Sequence, residues 1–462
     1  MPLTQEEKKE IIQLIIDDRP RRNEIAIAKE YYYINNPILR TGVLMNATDL
    51  RRKADNRIAH NFHQLITDEE VDYLLSYAPI FDLGSEQANI TIVEALGDKF
   101  LKKSRALDID ACNSGCSWLH YWVDTSKKEM AYAKVPSEQV IPIMKDSLED
   151  EMERLIRYYS VSRMDGLKKK YYVRVEVWDA KKCEFFLIPG EIESLSLLKN
   201  EDDGTLEHPF KAIPFIPFPN NNRKQGNLKK YKGLIDAFDI VVSGYVNDVM
   251  DIQEVIYILE NYGGTDLSDF IADLKRFKTV SVGDDGIDGA GAKGDLRTLT
   301  IDIPVEARNS LLEFLKKQIY TAGQALSRDI TSVGNASGQT LKFFYRDLDL
   351  KVGDKEVEFT AGFRELVRVI CEYKRIPIKG PIGVTFTRNR ISNDSETATI
   401  CRDSVGVIPT ELIWANHPFV DDVEKCRDLW EKEHEADEPY DNNFTNATKI
   451  KKTEEDPGGE DA

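Results

Sequence analysis

Apolar positions recur at helical spacing over Thr4–Asp18 and Arg22–Tyr33, and they predict two amphipathic helices. Thr4 with Glu7 three residues later has the form of a capping box. A long helix is predicted over Asp49–Tyr77, where Ile58, Phe62, Leu65, Ile66 and Leu74 step by three or four until Pro79. Ile90–Leu107 reads as one further helix, and Asp108–Asn113 as a short one stopped at Gly115. The texture then changes. Trp118–Val123, Arg154–Ser162, Tyr171–Asp179 and Cys183–Ile188 are β-rich runs separated by turn residues, which predicts an antiparallel meander. Pro209, Pro214, Pro217 and Pro219 restrict the next stretch to extended, edge-like chain.

From Gly233 to Tyr262 there is no proline and no basic residue, and a single long helix is expected. Asp236, Asp239, Ser243, Asn247, Asp251 and Glu254 step by three or four and form one polar stripe on it. Two readings stand: a solvated face, or a helix packed laterally among others with its stripe facing water or a lumen. Gly263–Pro304 interrupts the helical pattern with two β-like runs, Thr279–Val282 and Leu296–Ile303, around a Gly/Asp loop at Gly283–Asp295. Helices are predicted again at Val305–Leu326 and from Ser337 to about Arg375, with a kink expected at Gly353. The polar, small-residue loop Ser327–Gly338 joins them. A helical module follows at Asn393–Ala436, and from Asp437 onward the composition predicts disorder.

Composition narrows the function classes. With 462 residues, 41% of them apolar, the chain can build more than one core and is not a wholly disordered protein. No apolar run approaches the roughly 20 residues of a membrane span. Sixty-two basic against eighty acidic residues leave a net charge of −18, which opposes gripping DNA or anionic lipid over the whole surface. The N-terminus lacks the pattern of a signal peptide, so an intracellular product with six reduced cysteines is expected.

Motif by motif, catalytic chemistry finds little support. Gly289-Ala290-Gly291-Ala292-Lys293-Gly294 matches G-x-G-x-x-G, but the alternation after it predicts a strand, whereas a dinucleotide loop must open a helix. There is no G-x-x-x-x-G-K-[ST] motif. Cys112 and Cys116 lack a second ligand pair and read as structural thiols. His60 and His63 read as a satisfied structural pair, and Ser337 does not sit on a nucleophile elbow. Trp118, Tyr121 and Trp122 read as core more readily than as a base-stacking platform. No catalytic, cofactor-binding or metal-ligating set emerges.

Four stretches taken together resemble the portal proteins of tailed double-stranded-DNA bacteriophages, most closely the type found in siphophages of Gram-positive hosts. They are Asn56–Phe81, Ile213–Asp251, Asn335–Lys351 with its Ser-Gly-x-x-Leu-Lys helix start, and Asn393–Pro409. The resemblance covers about Asn56 to Glu435. It departs from the family pattern at Ser76-Tyr77-Ala78, where Gly-Lys is common, at Gln339-Thr340, where Val-Ala is common, and in a shorter C-terminal module.

The resemblance implies an α+β portal fold that assembles as a ring of twelve subunits, or thirteen when isolated. By similarity, residues 1–232 would form the wing, 233–262 and 304–327 the stem helices, and 263–303 a small α/β clip. Residues 328–340 would be the tunnel loop, 341–390 a long wing helix with a return strand, 391–436 the crown, and 437–462 an acidic tail. Channel-lining candidates are Arg328, Thr331, Ser332, Val333, Gly334 and Asn335 in the loop, and Asp236, Asp239, Asp251, Glu254, Lys316 and Lys317 on the stem. Asp284, Asp285, Lys293 and Arg297 would lie at the clip interface. Expected partners are double-stranded DNA regardless of sequence, the terminase large subunit, major capsid and scaffolding proteins, and a head-completion or adaptor protein. No cofactor, catalytic residue, metal or membrane is expected. The location would be the capsid vertex of the virion, and the host cytoplasm during assembly. The competing readings are a monomeric or dimeric intracellular enzyme or nucleic-acid-processing factor, and a different head–tail component.

Overall fold

The computed structural model describes residues 3–40, 54–252 (without 127, 150, 166–167, 191 and 193–199), 256–260, 295–299, 304–326, 338–389, 394–420 and 422–436. The chain divides into two compact units, residues 1–330 with 345–390, and residues 331–344 with 391–462.

In the larger unit, helix α1 (Gln5–Asp17) begins with the expected capping box. Glu7 N–H donates to Thr4 Oγ1 at 3.2 Å and Thr4 N–H donates to Glu7 Oε2 at 2.8 Å. These bonds and Arg154 hold the Glu7 carboxyl down at about 2. Helices α2 (Arg19–Tyr32) and α3 (Phe62–Leu75) follow. The helix expected from Asp49 therefore starts later, because residues 54–61 are not helical. Strand β1 (Ile80–Asp82) leads to α4 (Glu86–Leu96) and α5 (Phe100–Ser114). What reads in sequence as one helix plus a short one is thus two helices broken at Gly97, whose φ of 72° only glycine adopts readily. Gly115 stops α5 as expected, at φ 86°, and a Cβ there would lie 2.2 Å from the Lys224 carbonyl oxygen.

Strands β2 (Cys116–Asp124) and β3 (Glu129–Val135) form a hairpin. The meander is β4 (Val140–Met144), β5 (Met152–Asp165), β6 (Lys168–Trp178), β7 (Lys182–Pro189) and β8 (Asn200–Glu207), antiparallel throughout and in sequence order. The proline-rich stretch supplies β9 (Phe215–Pro219), which pairs with β2 as an edge strand, as Pro217 and Pro219 require. Ile11, Ile12 and Ile15 of α1 pack on Ile156, Tyr158, Val173 and Val175 of the meander, so one face of that sheet is covered by the N-terminal helix.

Helix α6 (Lys232–Ile252) ends ten residues before the expected limit at Tyr262. The β-branched and aromatic run after it forms β10 (Ile256–Glu260), which pairs antiparallel with β11 (Asp295–Leu299). Helices α7 (Val305–Gly323) and α8 (Gly338–Lys374) agree with the predicted pair, and α8 continues through Gly353. Its buried positions Phe359, Phe363, Leu366, Val367 and Ile370 pack with α4, α5, β2 and β9 in one core. Gly362 allows the close approach, since a Cβ would fall 2.6 Å from the Phe218 ring. Strand β12 (Gly383–Thr385) returns to pair with β1.

In the smaller unit, α9 (Asp394–Asp403), α10 (Thr410–Asn416) and α11 (Val423–Ala436) form the predicted helical module. Trp414 and Trp430 lie 5.7 Å apart, and Arg427 pairs with Glu411 at 2.6 Å. The expected tail 437–462 lies outside the described residues.

Candidate functional site

Helices α6 and α7 pack antiparallel. Ile235 and Phe238 near the start of α6 share a core with Leu315, Ile319 and Tyr320 near the end of α7. At the other end Arg308 pairs with Asp248 at 2.5 Å. Apolar side chains remain on the outside of this pair, among them Ile240, Val249, Met250, Leu311 and Phe314.

The polar stripe of α6 turns inward over half its length, and this corrects the expectation that it faces water or a lumen. Asp239 and Ser243 are fully buried and Asn247 nearly so. They hold the extended segment 54–61: Asn56 N–H donates to Asn247 Oδ1 at 2.7 Å, Ile58 N–H to Ser243 Oγ at 3.0 Å, and His60 N–H to Asp239 Oδ1 at 3.1 Å. Asp239 also receives Asn36 Nδ2 at 2.6 Å and meets His60 Nδ1 at 2.7 Å. Each successive donor of the segment meets an acceptor four residues further back along the helix. Asp236 is half-buried, accepts a bond from the Tyr31 hydroxyl and pairs with Lys232 at 2.8 Å. As a buried carboxylate Asp239 cannot line a channel.

The remaining candidates are scattered. Lys317 is exposed on α7 and Lys316 half-buried beside it. Asp251 belongs to the last turn of α6 and Arg297 to β11. Glu254, Asp284, Asp285, Lys293, Arg328, Thr331, Ser332, Val333, Gly334 and Asn335 lie outside the described residues, as do the glycine motif at 289–294 and Ser337. The strand that follows the glycine motif, β11, is the element expected there.

A polar cluster absent from the sequence reading lies where α3, α5, α7 and α8 meet. Glu70, Asp108 and Lys355 are completely buried. Lys355 Nζ donates to Asp108 Oδ1 at 2.6 Å and also pairs with Glu70. Lys351 Nζ reaches Glu70 Oε2 at 2.6 Å and the Gly323 carbonyl oxygen at 2.9 Å. Asn227 Nδ2 adds a further bond of 2.6 Å to Glu70 Oε2. Burial would raise the Glu70 carboxyl, but the two lysines outweigh it and bring it down to about 2. Burial likewise opposes charge on Lys355, yet the carboxylates of Asp108 and Glu70 drive its pKa upward. For Asp108 burial prevails and its pKa rises. One signal was present in the sequence: Leu348, Val352, Lys355 and Phe359 share one helix face, so a lysine occupies a core position.

His63, Cys112 and Cys116 sit inside the protein, and their surroundings hold them uncharged. His63 is buried between Tyr231, whose hydroxyl is 2.8 Å from Nδ1, and Asn113, whose Oδ1 is 3.0 Å from Nε2. Burial pushes its pKa down to about 4. Burial also raises the Cys112 thiol, and that of Cys116 to about 12, so neither is a thiolate near neutral pH. Trp118 and Tyr121 are buried, as expected of core aromatics, while Trp122 is partly exposed and stacks on His120. Among the described residues no helix is long and apolar enough to cross a membrane.

Comparison with known proteins bears on this arrangement. Residues 12–440 match the family described as phage portal protein, SPP1 Gp6-like. The chain is 42% identical over 461 residues to the portal protein of Clostridium phage phiCD119, covering 95% of this chain and all of that relative. It is 29% identical over 387 residues to the portal protein of Bacillus phage SPP1, covering 81% of this chain and 75% of that one. A chain from the neck of an empty GTA particle, computed with C6 symmetry, superposes with a TM-score of 0.43 at 10% identity, over 76% of this chain and 88% of that one. With a family match running from α1 to beyond α11, this chain belongs to the SPP1 Gp6-like family of phage portal proteins.

Proposed function

We propose that this protein forms a closed ring, of twelve subunits in the particle, at one vertex of the capsid. Double-stranded DNA passes through the ring during packaging and again during ejection. The family match over residues 12–440 carries this reading. The exposed apolar residues on α6 and α7 support it, because an apolar face left open in one chain is what a lateral neighbour in a ring would cover.

In this proposal residues 328–340 form the loop nearest the DNA, with Arg328, Thr331, Ser332, Val333, Gly334 and Asn335 facing it. Asp236, Asp251, Glu254, Lys316 and Lys317 line the stem, and Asp239 leaves that set because it is buried. Asp284, Asp285, Lys293 and Arg297 belong to the face that docks the terminase large subunit and, later, a head-completion or adaptor protein. The wing and crown contact the major capsid and scaffolding proteins. DNA in transit must not be held, since each fixed lysine–phosphate contact is a brake, and a chain of net charge −18 suits that requirement. The motor that supplies ATP hydrolysis is a separate subunit.

Native mass measurement on protein expressed with its scaffold tests the assembly. A ring of about 630 kDa with a central hole is expected for twelve copies. A monomer that also fails to restore DNA-filled heads to a phage lacking its portal would overturn the reading.

A further inference from the structure

Two consecutive carboxylates of α3 hold the places where the chain leaves α7 and where it returns in α8. Glu69 Oε2 accepts the backbone N–H of Leu326 at 3.1 Å. Glu70 Oε2 takes the Lys351 ammonium at 2.6 Å, and that ammonium also donates to the carbonyl of Gly323, the last residue of α7, at 2.9 Å. Gly323 lies hard against α3, since a Cβ there would be 2.9 Å from the Ile66 side chain. Just beyond, Gln324 adopts a left-handed φ of 51°, and Ala325 N–H folds back to the Tyr320 carbonyl at 3.0 Å. The helix therefore ends sharply where Glu69 takes the next free donor. On the α8 side, Tyr73 stacks on Tyr345 with ring centroids 5.6 Å apart, and its hydroxyl donates to Asp349 Oδ1 at 2.6 Å.

We propose that Glu69, Glu70 and Lys351 are positioning residues for DNA passage: they fix the end of α7, from Gly323 to Leu326, against α8 at Lys351, without touching DNA themselves. This rests on the reading of residues 328–340 as the channel loop.

The physical case separates geometry from stability. A buried ion pair adds little net stability over a well-packed apolar pair, but its directed bonds define where its partners sit. Lys351 is not needed to hold α8 on the body, because Lys355 pairs independently with Asp108 and Phe359 and Phe363 pack in the main core. What Lys351 adds is the bond to Gly323, which ties the end of α7 to the same carboxylate that holds α8. Glu69, half-buried on the adjacent position of α3, adds the bond to Leu326. All three groups thus act on the few residues that flank one segment, and a small displacement at a base is carried to whatever the base supports.

Two changes separate this from a purely structural role. The charge-balanced double variant Glu70→Gln with Lys351→Met removes one negative and one positive charge and leaves Lys355 with Asp108. Glu69→Ala removes the acceptor for Leu326, and Glu69→Gln keeps one. Each is introduced into the phage, and ring mass, melting temperature and DNA packaged per head are measured. Expected are rings of unchanged mass and melting within about 3 °C of the parent. Packaging should fall by about tenfold or more in the double variant and in Glu69→Ala, and recover in Glu69→Gln. Normal packaging by Glu69→Ala overturns the proposal, and so does a packaging loss matched by loss of rings or of melting temperature. Should the double variant not fold, the Glu69→Ala and Glu69→Gln pair decides alone. Deletion of Ser332–Asn335 tests the loop reading separately: normal packaging after that deletion would sink the loop assignment, whatever the Glu69 variants do.

Discussion

Ile58 donates its backbone N–H to the hydroxyl of Ser243, 3.0 Å away, as the middle rung of a three-rung ladder between an extended segment and a helix. The rungs at Asn56, Ile58 and His60 use alternate residues of the segment and every fourth residue of α6. Two residues of extended chain span about 6.6 Å and four residues of helix about 6.0 Å, so the two periods nearly match. A short extended segment can therefore satisfy its inward donors on helix side chains without a partner strand.

If this ladder anchors the segment, Asp239→Ala should cost about 2–3 kcal/mol, because it orphans the His60 N–H and takes from the Asn36 amide one of its two acceptors. Ser243→Ala should cost about 1 kcal/mol. Urea unfolding reads both, and limited trypsin digestion should reveal faster cutting at Arg57 in Asp239→Ala. A carboxylate facing an open channel would give no loss of stability, so an unchanged unfolding midpoint would contradict the buried assignment.

Lys355 makes a sharper case. Changing it to Met leaves Asp108 with an unpaired carboxylate in the core and takes one of two cations from Glu70, for a cost of about 3–5 kcal/mol. Adding Asp108→Asn removes the stranded charge and should restore much of the loss. Thermal melts of the single and double variants check this; equal destabilisation in both would mean that the lysine acts by packing alone.

Acid sensitivity should come first from the histidines. His63 has a folded pKa of about 4 against the ordinary imidazole's 6.5, because burial disfavours its charge. Between those values the unfolded chain binds a proton that the folded chain does not, so stability falls as pH drops from 6.5 to 4, by about 3 kcal/mol in total. His120, also lowered to about 4 by burial, adds a loss in the same window. The lowered carboxyl of Glu70 has the opposite chemistry but the same direction: its contribution is present above about 4.5 and lost as pH falls toward 2. His63→Gln, which can still bond Tyr231 and Asn113, should flatten the melting temperature between pH 6.5 and 4 while the His120 share persists. An unchanged slope would assign the acid response elsewhere.

Local order was legible wherever the signal lay within a few neighbouring residues. The capping box of α1, the stop at Gly115, strands β5 to β7, the start of α7 and the limits of α8 follow from short-range pattern and backbone chemistry. The strand at Ile256–Glu260 did not, because apolar runs of that length fit helix and strand alike and pairing with Asp295–Leu299 decides between them. The likeness to portal proteins was also legible, as an order of motifs spread along the chain, and the family match over residues 12–440 agrees with it.

By itself the sequence determined which positions of α6 are polar and on which side they fall. It did not determine what those side chains meet, because periodicity describes a face and not its partner. Asn56, Ile58 and His60 lie 191, 185 and 179 positions from their acceptors, and Lys355 lies 247 from Asp108. A polar stripe beside solvent and one beside an extended chain have the same spacing. Tertiary structure chose the second, since the chain at 54–61 needs acceptors for its half-buried N–H groups and α6 offers them at a matching interval.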